Sequence, residues 1–403
     1  MFDNEFPPLG GGTGVVNFHL LEEMARRTDV TVDLVTSSRS RTRYEREPFA
    51  DRITIYKVPV DNQNIHHATN RELLRYSWRG LCLARRLVSQ HRYDVSFAFA
   101  GVPAGAISYL LRRTHGLPYI LSLQGPDVPG FEARYNYLYP VLTPLITRIW
   151  RGAGAVTAIS AEQIALAHRT MPDLKLVTIP NGVDTRSFVP TGPAPLRPFT
   201  IICVARLIER KGQHHLLRAF AHLRAAGTEP LALMFVGTGD AEPQLRELAA
   251  SLNVLDAVTF KGFVPRELMP RVYHDADLFV LPSQHEGMSI ALLEAMASGL
   301  PVVVTNTGGT AELVTQEENG EIVAWADVPG LTAALQRLLK DGERRTRMGQ
   351  AGRRRAQEFG WPALATRYLE VCAGLTVPSI ERRCTSRRPV VEAARRFKKE
   401  SRG

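Results

Sequence analysis

One segment, residues 277–306, combines two strongly apolar stretches with a helix that has no polar face. The apolar runs predict two buried parallel strands, and Gly299 followed by Pro301 predicts the end of the helix between them. Within that helix, the sequence SIALLEAMA is apolar on every side except at Glu294. A buried carboxylate is costly unless something hydrogen-bonds to it. The segment therefore predicts a strand–helix–strand unit that carries a functional carboxylate.

A second carboxylate, Glu286, lies in the loop before this helix, eight residues before Glu294. Backbone N–H groups at a helix N-terminus lack intrahelical partners, and the helix dipole favours an anion there. The simple alternative for each residue is a solvated side chain, but a helix without a wet face argues against it for Glu294. We therefore expect both carboxylates and the free amides to face one crevice that binds a ligand.

The chain has 403 residues, more than a single hydrophobic core usually supports, so two domains are expected. Strand-like and helix-like segments alternate on both sides of a linker rich in Pro and Gly. This predicts two Rossmann-like, doubly wound parallel sheets of the α/β class, with ligands bound at the carboxyl ends of the strands in a central cleft. The predicted units are a first domain (1–180), a linker (181–198), a second domain (199–360), a C-terminal helix (361–374) and a basic tail (375–403).

The first domain opens with a glycine-rich loop, Gly10, Gly11, Gly12 and Gly14, followed by an amphipathic helix. Such a loop lets the backbone approach a phosphate or a sugar closely, whereas a tight turn or a hinge is the alternative. It is neither GxGxxG nor a phosphate loop ending in Lys-Ser/Thr. The strand expected before it is almost absent. Either residues 1–5 are a short remnant of that strand, or the start is placed a few residues late.

The second domain begins with a strand that ends near Arg206, and Lys211 lies at the start of the next helix. Both cations are thus expected at the ligand edge of the sheet, facing the Glu286 loop. Arg grips a phosphate with two donors, Lys adds a point charge and a helix N-terminus adds amides. Each cation alone is more often solvated, but together they predict a diphosphate clamp.

Two acidic features carry less weight. Asp127 follows a predicted strand of the first domain across the cleft, where it either caps the following helix or contacts a substrate as a catalytic group. Asp275 and Asp277 have the DxD spacing of some metal sites, but they precede their strand and so lie at the wrong edge of the sheet. We therefore expect no metal and no cofactor.

Composition restricts the compartment and the partners. The four cysteines are scattered, so neither a disulfide framework nor a zinc site is indicated. No apolar run is long enough to cross a membrane, and the N-terminus lacks the pattern of a signal peptide. These features predict a cytoplasmic protein.

The net charge of +10 is concentrated in the tail, because residues 375–403 contain nine Lys or Arg and three Glu, a net charge of +6. Residues 390–399 show apolar and basic positions at helical spacing, typical of a short helix that lies peripherally on the anionic inner face of the membrane. A disordered, solvated tail is the alternative. Nucleic acid is a poor partner, because the tail has only Phe397 for base stacking.

Several motifs together resemble family 4 (group 1) glycosyltransferases of the GT-B fold. They are, in chain order, NEFPPLGGGTG, VARLIERKG, VGTGD, FKGFVP, DLFVLPSQHEGMSIALLEAMASGLPVV and NTGGTAELV. The resemblance extends to about Leu375, and its most specific part is the pair of glutamates spaced as Glu286 and Glu294. It implies a retaining transferase that uses a nucleotide sugar without an essential metal.

The resemblance also implies roles for individual residues. Arg206 and Lys211 would hold the diphosphate, and Glu294 would hold the ribose hydroxyls. Glu286 and the amides of Gly287, Met288 and Ser289 would hold the transferred sugar. The backbone at Phe263 and Val264 would contact the base, and the loop at Gly11 and Gly12 would approach the phosphates from the other side. We expect the acceptor to be a glycan or a lipid-linked glycan of cell-surface polysaccharide synthesis.

Two departures from the family pattern concern the sugar site. Many relatives have EGFG where this chain has EGMS, and many have an ionisable group where it has Gln124. The alternatives are an epimerase of the same fold, which would release free nucleotide without an acceptor, and a phosphorylase. The phosphorylase would need pyridoxal phosphate on a lysine, for which the sequence offers no candidate.

Overall fold

The computed structural model describes residues 1–62, 68–125, 127–131, 136–190, 197–227 and 230–384. Within these ranges, the chain folds into two α/β units that meet across a cleft. The predicted tail helix at 390–399 lies outside the described residues.

The first unit contains seven strands and five helices among the described residues. The strands are β1 (Val32–Ser38), β2 (Glu45–Ala50), β3 (Ile53–Pro59), β4 (Ser96–Phe99), β5 (Tyr119–Ser122), β6 (Ala155–Ala158) and β7 (Leu176–Thr178). The helices are α1 (Gly12–Ala25), α2 (Asn70–Gln90), α3 (Ala106–His115), α4 (Tyr139–Gly152) and α5 (Ala161–Thr170). The strands are ordered β2-β3-β1 and β4-β5-β6-β7.

The N-terminal residues join these two groups of strands. Phe2 forms parallel bridges to Val35 of β1 and to Ala98 of β4. Its amide donates to the carbonyl of Phe97 at 2.8 Å, and its own carbonyl accepts from the amide of Phe99 at 2.9 Å. Phe2 thus lies between β1 and β4, at the centre of the first unit, where the sequence predicts a short strand at residues 1–5.

Strand β2 was not predicted, and it pairs antiparallel with β3 at the edge of an otherwise parallel sheet. Its sequence EREPFA is charged and contains Pro48, which has no N–H to donate. Proline and exposed charges are typical of an edge strand, where one row of backbone groups faces solvent. The register shifts at Pro48 for the same reason.

The second unit contains six parallel strands in the order β10-β9-β8-β11-β12-β13. The strands are β8 (Phe199–Val204), β9 (Leu231–Val236), β10 (Val258–Phe260), β11 (Leu278–Leu281), β12 (Val302–Thr305) and β13 (Glu321–Val323). The helices are α6 (Gln213–Ala226), α7 (Glu242–Ser251), α8 (Met269–His274), α9 (Ile290–Ala297), α10 (Thr310–Leu313), α11 (Val328–Lys340) and α12 (Gly342–Gln357). All four residues of β11 and of β12 are buried, as their unbroken apolar sequences predict.

Two helices differ from their predicted bounds. Helix α4 begins at Tyr139 rather than near residue 131, because residues 127–131 form turns. The last helix, α13 (Trp361–Cys384), continues beyond the predicted end at 374. Its buried residues, Leu364 and Tyr368 among them, share a core with α1 and β4 of the first unit. The chain thus returns to the first unit and ties the two units together.

Candidate active site between the two units

The segment after β11 forms the centre of the site, because β11 lies between β8 and β12 and its carboxyl end opens towards the first unit. The following loop carries Glu286, and α9 begins at Ile290. Ser289 caps the helix, its hydroxyl accepting from the amide of Leu292 at 3.2 Å. The cap satisfies one of the free amides that the sequence suggested, and the side chain of Met288 is buried in the core. The backbone of Met288 and both the backbone and the hydroxyl hydrogen of Ser289 are therefore available to a ligand.

The Glu286 side chain is 10% exposed and forms an ion pair with Lys211, whose Nζ lies 2.5 Å from Oε1. Lys211 ends a short turn of helix just before α6. Burial alone would raise the pKa of Glu286, but the charge and the hydrogen bond of Lys211 outweigh it, so the pKa lies below its ordinary value. Glu286 is consequently ionised at neutral pH. Lys211 contacts the Glu286 loop, as the sequence predicts.

Arg206 faces a carboxylate that the sequence did not single out, Glu5 of the first unit. Burial raises the pKa of Glu5, while the Gly11 amide and the charge of Arg206 act to lower it. Glu5 Oε2 accepts from the amide of Gly11 at 2.8 Å. A side chain at Gly10, where φ is +96°, would collide with Glu5. Glu5 thus holds the glycine-rich loop by a hydrogen bond and feels the charge of Arg206 from across the cleft.

The glycine-rich loop lies directly opposite α9. A Cβ built on Gly12 would stand 3.9 Å from Cδ1 of Ile290, the first residue of that helix. The structure therefore brings Gly11, Gly12, Arg206, Lys211 and Glu286 to one crevice between the units.

Glu294 is buried within α9, only 8% exposed. Its Oε2 accepts from the hydroxyl of Tyr273 in α8 at 2.9 Å. Burial raises the pKa of Glu294 to about 7, although the charge of Arg266 and the Tyr273 hydrogen bond act to lower it. The hydrogen bond explains how this apolar helix tolerates a carboxylate.

The sequence did not point to Tyr273 or Arg266. Arg266 is a bridging group, because its guanidinium also lies 5.5 Å from the centre of the Phe18 ring on α1 of the first unit. Its burial lowers its pKa, and the charge of Glu294 is the largest of the effects that oppose this shift. No sequence pattern marks these two residues, because both lie in helices too short to show an apolar periodicity.

A glycine loop after β12 fixes the position of Glu286. The amide of Gly309 donates to the carbonyl of Gly287 at 2.6 Å. A Cβ on Gly308, where φ is +53°, would lie 1.6 Å from the backbone oxygen of Glu286. Only glycine permits this approach, which accounts for the NTGGTAELV motif.

Phe263 and Val264 follow β10 at the carboxyl edge of the second sheet. Phe263 is exposed, whereas Val264 packs against the core around α9. The preceding residue, Gly262, accepts through its carbonyl from the amide of Gly237 at 2.9 Å. The structure thus places this backbone at the edge of the sheet where a nucleotide base is expected. The contact between this backbone and the base remains a prediction.

Asp127 accepts hydrogen bonds from three backbone amides. Its Oδ1 accepts from the amides of Gln124 (3.0 Å) and Gly125 (2.9 Å), and its Oδ2 accepts from the amide of Gly101 (2.9 Å). A buried carboxylate with three backbone donors organises a loop, so the structure gives no support to Asp127 as a catalytic group. It does not cap α4 either, because its partners lie at the ends of β4 and β5. Burial raises its pKa, and the amides oppose that effect.

Asp277 is also a structural residue. It lies at the amino end of β11, where Oδ2 is 2.6 Å from the guanidinium of Arg197 and 2.8 Å from the amide of Thr200. In the ranges that the structure describes, no three His, Cys, Asp or Glu side chains come together as metal ligands. The expectation that catalysis needs no metal remains a prediction.

Comparison with known proteins identifies the family. Residues 11–182 match the glycosyl transferase 4-like domain, and residues 186–355 match the glycosyl transferases group 1 family. A GDP-mannose-dependent α-(1-6)-phosphatidylinositol monomannoside mannosyltransferase of Mycolicibacterium smegmatis is 32% identical over 308 residues, which cover 72% of this chain and 79% of the relative. The chain belongs to the group 1 glycosyltransferases.

Two similar proteins of known structure share the GT-B fold of this group 1 glycosyltransferase. Sucrose-phosphate synthase from Thermosynechococcus elongatus aligns with a TM-score of 0.80 at 22% identity, covering 91% of this chain and 94% of that one. HepE of Anabaena, solved in complex with UDP and glucose, aligns with a TM-score of 0.71 at 18% identity, covering 92% of this chain and 98% of the other. The predicted family, fold and enzyme class are thus confirmed.

Proposed function

We propose that this group 1 glycosyltransferase moves a sugar from a UDP- or GDP-linked donor to an acceptor hydroxyl, with retention of configuration and without an essential metal. The observation that carries the proposal is the largely solvent-shielded ion pair of Glu286 with Lys211 at the carboxyl edge of the second sheet. The GDP-mannose for which the mycobacterial relative is named and the UDP and glucose bound by HepE support a nucleotide sugar.

The proposed step makes and breaks one bond at the anomeric carbon of the sugar. The C1–O bond to the β-phosphate breaks, and its electron pair leaves with the nucleoside diphosphate. The acceptor oxygen bonds to C1 from the same face, and its proton passes to the departing phosphate. Arg206 and Lys211 stabilise the negative charge on the diphosphate, while Glu286 favours the positive charge that develops on the sugar. Closure of the units excludes water from this step.

The remaining predicted site residues bind the donor in this proposal. Glu294 accepts from the ribose hydroxyls, and the backbone at Phe263 and Val264 contacts the base. The backbone amides of Gly287, Met288 and Ser289 contact the sugar. Gly11 and Gly12 approach the phosphates from the first unit.

Thermal unfolding tests the donor class directly. We expect a panel of UDP- and GDP-sugars to raise the melting temperature with one base only, because a ligand that binds the folded state alone stabilises it by about 2.7 kcal/mol at a hundredfold excess over Kd. Lys211→Met should abolish most of that increase, whereas Arg347→Ala, on the exposed surface of α12, should not change it. A melting temperature unaffected by every nucleotide sugar would contradict the proposal.

We also propose that the enzyme works peripherally on the anionic inner face of the cytoplasmic membrane, on a glycan or lipid-linked glycan acceptor. The phosphatidylinositol mannoside acceptor named for the mycobacterial relative supports such a substrate. None of the described helices is long and apolar enough to span a bilayer. Attachment would therefore use a surface of the first unit together with the basic tail, net +6 over residues 375–403.

The surface consists of α2, α3 and α4, which pack side by side with α3 in the middle. These three helices contain nine Arg and one acidic residue, Glu72. Leu74 is 71% exposed and Trp78, one turn later on the same face of α2, is 69% exposed. Tyr137, just before α4, and Val141, in the first turn of α4, are exposed as well. Charge combined with modest apolar insertion is how peripheral helices bind anionic lipid.

Vesicle sedimentation separates the contribution of the helical surface of the first unit from that of the basic tail. We expect the double variant Leu74→Ser with Trp78→Ser, and a chain ending at Cys384, each to bind anionic vesicles more weakly than the full chain at low salt. Each basic residue near such a surface contributes about 1 kcal/mol, so high salt should weaken binding by all of them. Leu255→Ser, an exposed leucine of the second unit, is the matched control. Binding equal to that of the full chain by both altered proteins would contradict the proposal.

A further inference from the structure

The linker between the two units begins with Asn181, a residue that the sequence did not single out. Its side chain is buried, with 7% of its surface exposed. The Nδ2 atom of Asn181 donates to the carbonyl of Met288 at 2.9 Å. Met288 belongs to the loop of residues 286–289, the sugar loop, which the proposed mechanism places against the transferred sugar. Asn181 therefore connects the linker to the loop that carries Glu286.

Both units fix the backbone around Asn181. On the side of the first unit, the amide of Ile179 donates to the last carbonyl of β6 at 2.9 Å. On the side of the second unit, the amide of Val183 donates to the carbonyl of Phe359 at 2.9 Å. A Cβ built on Gly182 would lie 2.7 Å from side-chain atoms of α13, so this stretch is densely packed. The Asn181 side chain thus starts from a rigid position.

The hydrogen bond from Asn181 sets the orientation of a whole peptide group. A peptide is planar and trans, so the carbonyl of Met288 and the N–H of Ser289 lie in one plane and point in opposite directions. Holding the carbonyl therefore turns the N–H away from Asn181. In the part of the chain that the structure describes, the Ser289 amide has no hydrogen-bond partner. A donor on the carbonyl also polarises the peptide, which makes this N–H a stronger donor to a ligand.

The preceding peptide of the sugar loop is held in the same way. The carbonyl of Gly287 accepts from the amide of Gly309 at 2.6 Å, which orients the N–H of Met288. Two successive carbonyls of the loop are thus held by donors from outside it, one from the glycine loop after β12 and one from the linker. Two successive N–H groups beside Glu286 are consequently oriented for the oxygens of a ligand.

We propose that Asn181 is a positioning residue of the transfer reaction, because it holds the Met288 carbonyl and so aims the Ser289 N–H at a hydroxyl of the transferred sugar. Asn181 itself does not touch the sugar. Its NH₂ group donates without carrying a charge, whereas a carboxylate of the same shape would only accept and would repel the carbonyl oxygen. This inference rests on the proposed sugar transfer, since it explains how the sugar loop of the same site is oriented.

Asn181→Asp tests this role, because it keeps the shape of the side chain and removes the donor. Turnover would be measured as the release of nucleoside diphosphate from UDP-glucose and from GDP-mannose in water. Binding would be measured as the Kd of UDP and of GDP, which lack the sugar. We expect kcat at pH 8 to fall about 10- to 100-fold, while the Kd of the nucleoside diphosphate changes less than about twofold.

The pH dependence of the same variant gives a second readout. A protonated carboxyl group can donate to the carbonyl of Met288, and burial raises the pKa of a carboxyl group placed here. As pH falls from 8 to 5.5, the ratio of the kcat of Asn181→Asp to that of the natural enzyme should therefore rise about fivefold or more. Asn181→Ala introduces no titratable group, so it should lose turnover without this recovery. The Ala variant also carries the comparison of kcat with Kd if Asn181→Asp does not fold.

Asn319→Asp is the matched control, because Asn319 is 4% exposed and its Nδ2 donates to the carbonyl of Leu313 at 2.9 Å. It should lower the melting temperature but change kcat less than about twofold. A kcat of Asn181→Asp within about twofold of the natural value at pH 8 would overturn the positioning role, as would a loss of nucleoside diphosphate affinity as large as the loss of kcat. Failure of the natural enzyme to bind UDP and GDP would instead overturn the proposed function itself.

Discussion

Replacement of Glu286 by Ala should lower kcat by about 10²- to 10³-fold while changing the donor Kd less than about fivefold. The carboxylate is ionised. In the proposed mechanism it faces the sugar, so the charge that it stabilises appears mainly in the transition state. Loss of Glu286 also releases Lys211 from its 2.5 Å ion pair, and the freed ammonium can still bind phosphate. Single-turnover kinetics together with calorimetry of donor binding would separate the two effects.

Glu318→Ala is a suitable control, because Glu318 is an exposed carboxylate of the same unit. Lys211→Met should show the reverse pattern, with a larger loss of donor affinity. A Glu286→Ala enzyme that loses donor affinity as strongly as turnover would refute the role assigned to the carboxylate. Activity that EDTA abolishes and manganese restores would show that a metal had been overlooked.

Replacement of Glu294 by Gln should weaken donor binding about 10- to 100-fold and leave the fold intact. A carboxylate that accepts from ribose hydroxyls makes charge-assisted hydrogen bonds, each stronger than the bond to a neutral amide. The amide still accepts from Tyr273, so the helix keeps its internal partner. Calorimetry with the nucleotide found by thermal unfolding would measure the change, and an unaltered donor Kd would rule out the assignment.

The same substitution should stabilise the free enzyme at alkaline pH. The pKa of Glu294 is raised from 4.5 to about 7 in the folded chain, so the folded state holds its proton more tightly than the unfolded state. Stability is therefore fully present below pH 4.5 and is lost as pH rises through 7. The Gln variant lacks this loss and should exceed the natural enzyme by about 3 kcal/mol in free energy of unfolding at pH 8.

Glu321 offers the contrasting control, because this buried carboxylate is paired with Arg337 and Arg344. Glu321→Gln should lower stability at pH 8, since it leaves two guanidinium groups without their shared partner. A Glu294→Gln protein no more stable than the natural one at pH 8, relative to pH 5, would contradict the raised pKa.

The sequence predicted those parts of the site that depend on local pattern. The apolar helix around Glu294 required a buried carboxylate, and the strand ends placed Arg206, Lys211 and Glu286 at one edge of one sheet. A short strand was also predicted at the N-terminus, where Phe2 bridges β1 and β4. Each of these follows from the periodicity of a continuous stretch of chain.

The partners of these residues could not be predicted in the same way. Tyr273 and Arg266 approach Glu294 only because α8 and its preceding turn pack against α9. Glu5 approaches Arg206 only because the two units face each other. The three amides that donate to Asp127 come from the ends of two different strands. The sequence around Asp127 suggested a contact with a ligand, whereas in the fold its carboxylate holds two loops together. Side-chain pairing over long separations is decided by strand order, which periodicity does not specify.

The anomer released from the donor tests the central claim most directly. With an α-linked nucleotide sugar of the base selected by thermal unfolding, and with EDTA but no acceptor present, the enzyme should slowly transfer the sugar to water. Proton NMR recorded before mutarotation should show the α-anomer first, which is the result expected for retention without a metal. Initial release of the β-anomer, or release only after a divalent metal is added, would contradict the proposed mechanism.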